Sequence, residues 1–308
     1  MNITTCPLCK ATGVAVSFPE ARDYITGEIF QVLQCRACTV GFTSPPPENL
    51  EKYYPAQYRR YNPLVLWVLK KLYHTQVNRW TRQFGRSGSA LEVGCGDGMM
   101  LDALRKKGWS VAGTERTEAM AEFARKNLGL EVYTGGMDAI PAGKKFDLII
   151  MFQVLEHIGE PMTMLNQCRD RLTENGELII AIPNLDSWQS RYSAASWLHL
   201  DVPRHLFHYS PASLRTALDL AGLSVSRIGF VSFEHDPYGW VQSILNKQFG
   251  NSNGLTRLLM RLDGMTLNGI LAILIGGILV LPSLLLALLS WPFGKGAIMQ
   301  VVSSHKKS

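Results

Sequence analysis

The sequence predicts an α/β protein: a doubly wound seven-stranded sheet, with a cysteine-rich module before it and an apolar helical insert near its C-terminus. Three observations carry this. Apolar runs at 90–94, 109–113, 130–134, 146–152, 177–182 and 224–233 alternate with helical patterns at 98–107, 117–127, 161–172 and 211–222, and 297–302 reads as a last strand. Alternating strands and helices build a parallel sheet, because each helix carries the chain back across it. Two Cys-x-x-Cys pairs precede this region, and residues 264–294 carry no charged side chain.

The cysteine module comes first. "CPLC" and "CRAC" place Cys6, Cys9, Cys35 and Cys38 in two pairs with twenty-five residues between them. That spacing suits a hairpin whose two knuckles converge on a tetrahedral, structural Zn²⁺. A redox pair, or four unconnected buried thiols, is the alternative. The N-terminus "MNITTCPLCK" lacks the apolar core of a secretory signal, and six cysteines in a cytosolic chain argue against disulfides. "SPPPENL" reads as a linker, and Asn62–Pro63 as the start of an amphipathic helix over 64–84.

The first strand of the sheet runs into "LEVGCGDGMM", residues 91–100. Three glycines in five residues need a reason, since each costs conformational entropy. Either the chain turns tightly there, or a ligand lies on bare backbone. A dinucleotide fingerprint needs its third glycine at position 99, which is Met99; here it falls at Gly98. The next strand, "WSVAGTE", ends in Glu115, where a carboxylate can accept the hydroxyls of a ribose. Otherwise Glu115 is a surface acid.

The Glu92-Gly94-Cys95-Gly96-Gly98 stretch resembles motif I of class I S-adenosylmethionine-dependent methyltransferases. "FDLIIMFQVLEHI", residues 146–158, is similar to the same family, and "DVPRHLFHYSPASL" to its subfamily with an N-terminal zinc ribbon. The resemblance implies a Rossmann-like methyltransferase fold whose last strand is antiparallel. It implies S-adenosyl-L-methionine as cofactor, bound by Glu92, Gly94, Cys95, Gly96, Gly98 and Glu115. It also places Met137 and Asp138 at the adenine and Gln153 near the transferred methyl. Glu156 reads as a helix-capping group, and His157 is left open.

After strand five, residues 185–214 are long for a loop and rich in Trp, Tyr and His. Such a segment beyond the carboxyl ends of the strands suits an acceptor lid. An acceptor hydroxyl or carbon needs a base, so His205 and His208 are the catalytic candidates, with Arg204 to hold an acceptor anion. The alternative is that all three fix the lid to the sheet. Tyr53, Tyr54 and Tyr58 either complete the pocket or pack.

Ile270–Leu289 could just cross a hydrocarbon core of roughly 30 Å at about 1.5 Å per residue. Both flanks are basic, with Arg257 and Arg261 before and Lys295, Lys306 and Lys307 after, and a strand follows that must rejoin the sheet. These features favour a monotopic or re-entrant hairpin bent at Pro282 and Gly276–Gly277 over a single span or a dimerisation hairpin. The expected organisation is therefore a zinc ribbon (1–44), linker and helix (45–84), cofactor domain (85–235), insert (236–295), and final strand and tail (296–308).

The 308 residues are 46% hydrophobic and carry a net charge of +6, and no dense basic run interleaves with aromatics. The expected partners are a small-molecule or lipid-linked acceptor and the cytoplasmic side of a membrane, not nucleic acid. The expected activity is methyl transfer to a membrane-bound, saccharide or isoprenoid acceptor. A non-catalytic membrane scaffold and an NAD(P)-dependent oxidoreductase are the alternatives.

Overall fold

The computed structural model describes residues 5–54, 63–85 and 87–306. Strands β1 (Val14–Arg22), β2 (Ile29–Cys35) and β3 (Gly41–Ser44) follow the first cysteine pair. Helix α1 (Pro63–Phe84) leads to β4 (Ser89–Val93), α2 (Met99–Arg105), β5 (Ser110–Glu115), α3 (Glu118–Leu128), β6 (Glu131–Thr134), β7 (Phe146–Phe152), α4 (Pro161–Arg171) and β8 (Leu172–Pro183). Next come α5 (Trp188–Ser193), β9 (Phe207–His208), α6 (Pro211–Leu220) and β10 (Leu223–Gly229). Helices α7 (Asp236–Phe249), α8 (Gly254–Leu259) and α9 (Leu267–Ser290) precede β11 (Ile298–His305).

These elements form two compact units that do not follow linear order. One comprises Met1–Leu66, Pro183–Leu214 and Gly229–Met299; the other comprises Trp67–Ile182, Arg215–Ile228 and Gln300–Ser308.

The second unit is built on the expected sheet, ordered β10-β11-β8-β7-β4-β5-β6. The β4–β5, β5–β6, β4–β7 and β7–β8 pairs are parallel. The central strands β7 and β8 are continuous apolar runs with Leu148–Met151 and Leu178–Ile182 buried, as strands covered on both faces must be. Strand order reverses between β4 and β7, and in open α/β sheets ligands bind at such a switch point. Helix α1 packs on the sheet through Val77 and Trp80, and Gln76 donates to the Gln300 side chain of β11 (2.7 Å). Gly113 of β5 has no room for a side chain. A Cβ there would lie 2.7 Å from both Cys95 Sγ and Leu101 Cδ1.

In the first unit, β1, β2 and β3 form an antiparallel ribbon. The two knuckles repeat one geometry. Lys10 N donates to Cys6 O and Thr39 N to Cys35 O, both at 3.0 Å, and Lys10 and Thr39 share a φ of 62°. The ribbon takes a fourth strand that the sequence did not announce: β9 pairs with β3, Phe42 opposite Phe207 and Gly41 opposite His208. A paired edge is protected from adventitious strand addition.

The insert corrects one expectation. Residues 267–290 form one helix running through Pro282, not two arms bent at Pro282 and Gly276–Gly277. Pro282 faces outward and removes a single ladder bond from a stretch of strong helix formers. Gly276 serves packing instead of bending, since a Cβ there would sit 3.2 Å from Leu255 and 3.5 Å from Val241.

Gly113→Ala should overpack β5 and lower stability by roughly 1–3 kcal/mol, read as a shifted urea midpoint with an unchanged circular dichroism spectrum.

Candidate active site

The glycine bend joins β4 to α2 at the switch point. Gly94, Gly96 and Gly98 all have positive φ, at 69°, 55° and 80°, which explains the residue type at each. Their surroundings differ. A Cβ on Gly94 would strike Val154 Cγ2 at 2.8 Å, and one on Gly98 would strike Leu130 Cδ1 at 2.6 Å. These two glycines permit close packing. A Cβ on Gly96 would meet nothing within 4 Å among the described residues, so of the three glycines Gly96 alone leaves the bend bare and open. Cys95 turns its thiol into the core beside Leu101 and Ala121, where burial raises its pKa, and the thiol lies 4.0 Å from Gly96 O.

Three carboxylates surround this opening. Because Val93 pairs with Thr114, Glu115 ends β5 beside the bend. Its carboxylate accepts Gly96 N (3.0 Å) and Thr117 N (2.8 Å). Glu92 is buried and its Oε2 has no hydrogen-bond partner among the described residues. Burial, with the negative charges of Asp97 and Glu115, holds its pKa well above the usual carboxylate range. Asp97 accepts Met99 N (3.1 Å) and is also raised by burial. Crowded like charges in a poorly solvated place favour a cation.

Gln153 follows β7 at a left-handed φ of 56°, with its N–H held by Ala181 O (2.8 Å). That conformation is costly for a side-chain-bearing residue and is characteristic of functional turns. Met137, after β6, points into the core, and Asp138 is exposed. Both line a shallow depression with Lys144, Lys145 and Arg171.

The acceptor-side candidates lie in the first unit. Arg204 has 0% exposure. It pairs with Asp23 and Asp201 (2.8 Å each), donates to Tyr53 O (2.9 Å) and covers the Tyr24 ring. A guanidinium so committed builds the scaffold, and the expectation that it grips an acceptor is withdrawn. Thr43 Oγ1 donates to His205 O (2.6 Å), which leaves His208 Nε2 as the donor to that hydroxyl (3.1 Å). His208 is buried, its pKa pushed down to about 3, and it belongs to β9; it too is scaffold. His205 is buried as well, with Nδ1 2.9 Å from His199 O and Nε2 3.7 Å from Asp201. Tyr53 is core and Tyr58 lies outside the described residues.

The four cysteine Sγ atoms lie within 4.8 Å of one another, with Cys6–Cys38 and Cys9–Cys35 each at 3.7 Å.

A family model described as a methyltransferase domain matches residues 68–228, just over half of the chain. The chain belongs to this methyltransferase family. The model stops short of the ribbon and of α7–α9. The chain is similar to a ubiquinone biosynthesis O-methyltransferase of Cereibacter sphaeroides, 26% identical over 51% of this chain and 68% of that one. A protein of the same name from Histophilus somni is 31% identical over 45% of this chain and 65% of that one. Among solved structures, an S-adenosylmethionine-dependent methyltransferase from Archaeoglobus fulgidus aligns over 76% of this chain and 93% of its own, at 18% identity and a TM-score of 0.49.

In this methyltransferase, Asp97, which the sequence places between two of the glycines, joins Glu92 and Glu115 as a third acid. Sequence reasoning missed two further residues. Val154 explains Gly94 by packing that no local pattern shows. His199, whose carbonyl sets the His205 ring, was not singled out.

His199 and His208 are both buried, with pKa values near 4 and 3. Unfolded histidine titrates near 6.5, so below that pH the unfolded chain binds protons that the folded chain refuses. Between pH 6.5 and 4.5 each ring takes up to about 1.4 kcal/mol per pH unit from stability, while the raised Glu92 and Asp97 carboxyls act in the opposite sense. In urea midpoints measured across that window, the stability of His208→Asn relative to the wild type should rise as pH falls.

Proposed function

We propose that this S-adenosylmethionine-dependent methyltransferase modifies a membrane-bound acceptor of isoprenoid or saccharide type. The observation that carries the acceptor class is the exposed apolar length of α9. The names of the relatives, which refer to ubiquinone biosynthesis and O-methylation, point the same way.

The bend fits the cofactor. Gly96 leaves open space where a side chain would stand, Glu92 Oε2 is an orphaned buried acceptor, and three carboxylates suit a cationic ligand. When bound, S-adenosylmethionine supplies an electrophilic methyl group on a sulfonium centre. Glu115 holds the ribose hydroxyls, while Glu92 and Asp97 hold the positive charge of the amino acid end. Gly94 and Gly98 keep the bend in shape, Cys95 adds backbone, and Gln153 lines the edge. The roles of Met137 and Asp138 at the adenine rest on their place after β6. Displacement at a methyl group needs alignment and exclusion of water more than covalent help. His205, its tautomer set by the His199 carbonyl, is the proposed proton acceptor.

The cysteine cluster fits a structural Zn²⁺. Four sulfurs about 2.3 Å from a tetrahedral centre stand about 3.8 Å apart, close to the observed 3.7 Å pairs. Elemental analysis should return one zinc per chain. Cys38→Ser should lose it and lower the thermal midpoint.

Calorimetry on the full chain should detect S-adenosylmethionine and no NAD. Gly96→Arg, which fills the only open part of the bend, should weaken the methyl donor at least about 100-fold. Labelled methyl should pass into a membrane extract with the wild type. His205→Asn should bind the donor normally yet transfer at least about 100-fold more slowly. Transfer at the wild-type rate would remove His205 from the reaction, and no transfer by any form would favour a scaffold.

A further inference from the structure

Helix α9 meets its own unit along one stripe from end to end. Ala272, Gly276, Ser283, Ala287 and Ser290 are buried, at intervals of four, seven, four and three, which is one face of an α-helix. Val241 and Leu245 of α7 and Leu255 of α8 receive the first part of this stripe. The remaining circumference carries large apolar side chains in the open, among them Leu267, Leu274, Leu281 and Leu289, with Ile278 75% exposed.

Both ends of the helix are tied to the same unit. Before it, Arg257 donates to Tyr24 O in the turn after β1 (2.7 Å) and pairs with Asp263 (2.7 Å). After it, the Trp291 indole donates to Asp236 (2.6 Å), which also accepts Ala297 N and Ile298 N (3.1 Å each). Lys295 pairs with Asp186 (2.5 Å). Helix α7, on which α9 lies, joins α8 through Gln242, Asn246, Asn251 and Thr256 in a hydrogen-bond net. Twenty-four residues make a helix about 36 Å long, enough to cross a bilayer. A crossing would drag one tethered end, with its ion pair and amide net, through hydrocarbon at a cost of several kcal/mol for each unsatisfied group.

Charge points to the same arrangement. Arg261 is exposed before α9 and presents a cation at headgroup level, while Lys295 after the helix is held by Asp186. Trp291 and the exposed Phe293, stacked on Trp188 at 5.5 Å, form an aromatic group at the C-terminal end, suited to the interface.

We infer that α9 lies lengthwise in a single leaflet of an anionic bilayer, its bare faces in the acyl region and both ends at headgroup level. The inference rests on the membrane reading above and adds the orientation. Helix α9 then anchors the first unit at a fixed height without spanning.

The test uses the full chain with single cysteines at Leu267, Leu274, Leu281 and Leu289, labelled with a bimane. The native thiols are buried apart from Cys9, and unlabelled wild type controls for it. Vesicles of phosphatidylcholine and phosphatidylglycerol carry nitroxides at two depths. The lengthwise helix predicts that the ratio of shallow to deep quenching varies less than about 2-fold over the four sites. A ratio that changes steadily along the helix would overturn the orientation while keeping the membrane reading. So would reaction of Leu267→Cys with an impermeant thiol reagent sealed inside the vesicles. Flotation separates the two claims. If the wild type fails to float with these vesicles, or hides all four labels in a lipid-free dimer, the membrane reading itself fails and the orientation with it. Ile278→Glu combined with Leu281→Glu should cut flotation at least about 10-fold while donor binding is kept; flotation at the wild-type level would overturn the contact.

Discussion

The first unit depends on one buried cation. Arg204 sits between Asp23 of the ribbon and Asp201 of the segment after β8, and its remaining donor reaches the Tyr53 carbonyl. Such a pair contributes little net stability, because two charges must leave water to form it. Removing one member is different, and costs about 3–5 kcal/mol, since the survivors stay buried without a counterion. The interaction thus selects one arrangement more than it strengthens it. Its reach is long. The Tyr24 ring lies over the guanidinium, and the Tyr24 carbonyl accepts Arg257, which flanks the apolar helix.

The second unit depends on strand order in the same way. With β5 on one side of β4 and β7 on the other, the chain must leave β4 at a point with free space above it. The bend fills part of that space with backbone and leaves it open at Gly96. Negative charge gathers there because β4, the bend and β5 each deliver one acid. The Glu115 carboxylate accepts the Gly96 and Thr117 amides, which fixes it against the bend at the end of β5.

Much of this was legible in the chain. The apolar runs at 146–152 and 177–182 became β7 and the buried part of β8, because strands covered on both faces leave no room for polar residues. The glycine spacing and Glu115 located the bend, since positive φ and a strand-end acid are local properties. What failed was non-local. Arg204 and His208 read as chemistry because their residue types are reactive, yet their partners, Asp23 and Thr43, lie more than 160 residues away in sequence. The three glycines look alike in sequence, and only Val154 and Leu130 distinguish the packed two from the open one. Pro282 promised a bend that a run of leucines overrode.

The fourth strand of the ribbon ties cysteine chemistry to a distant stretch of chain. Phe207 and His208 are ordered by pairing with β3, which begins three residues after Cys38. Any ion held by the four thiolates would therefore act beyond the knuckles, since its removal would loosen β3, then β9, and with them the peptide that carries His205.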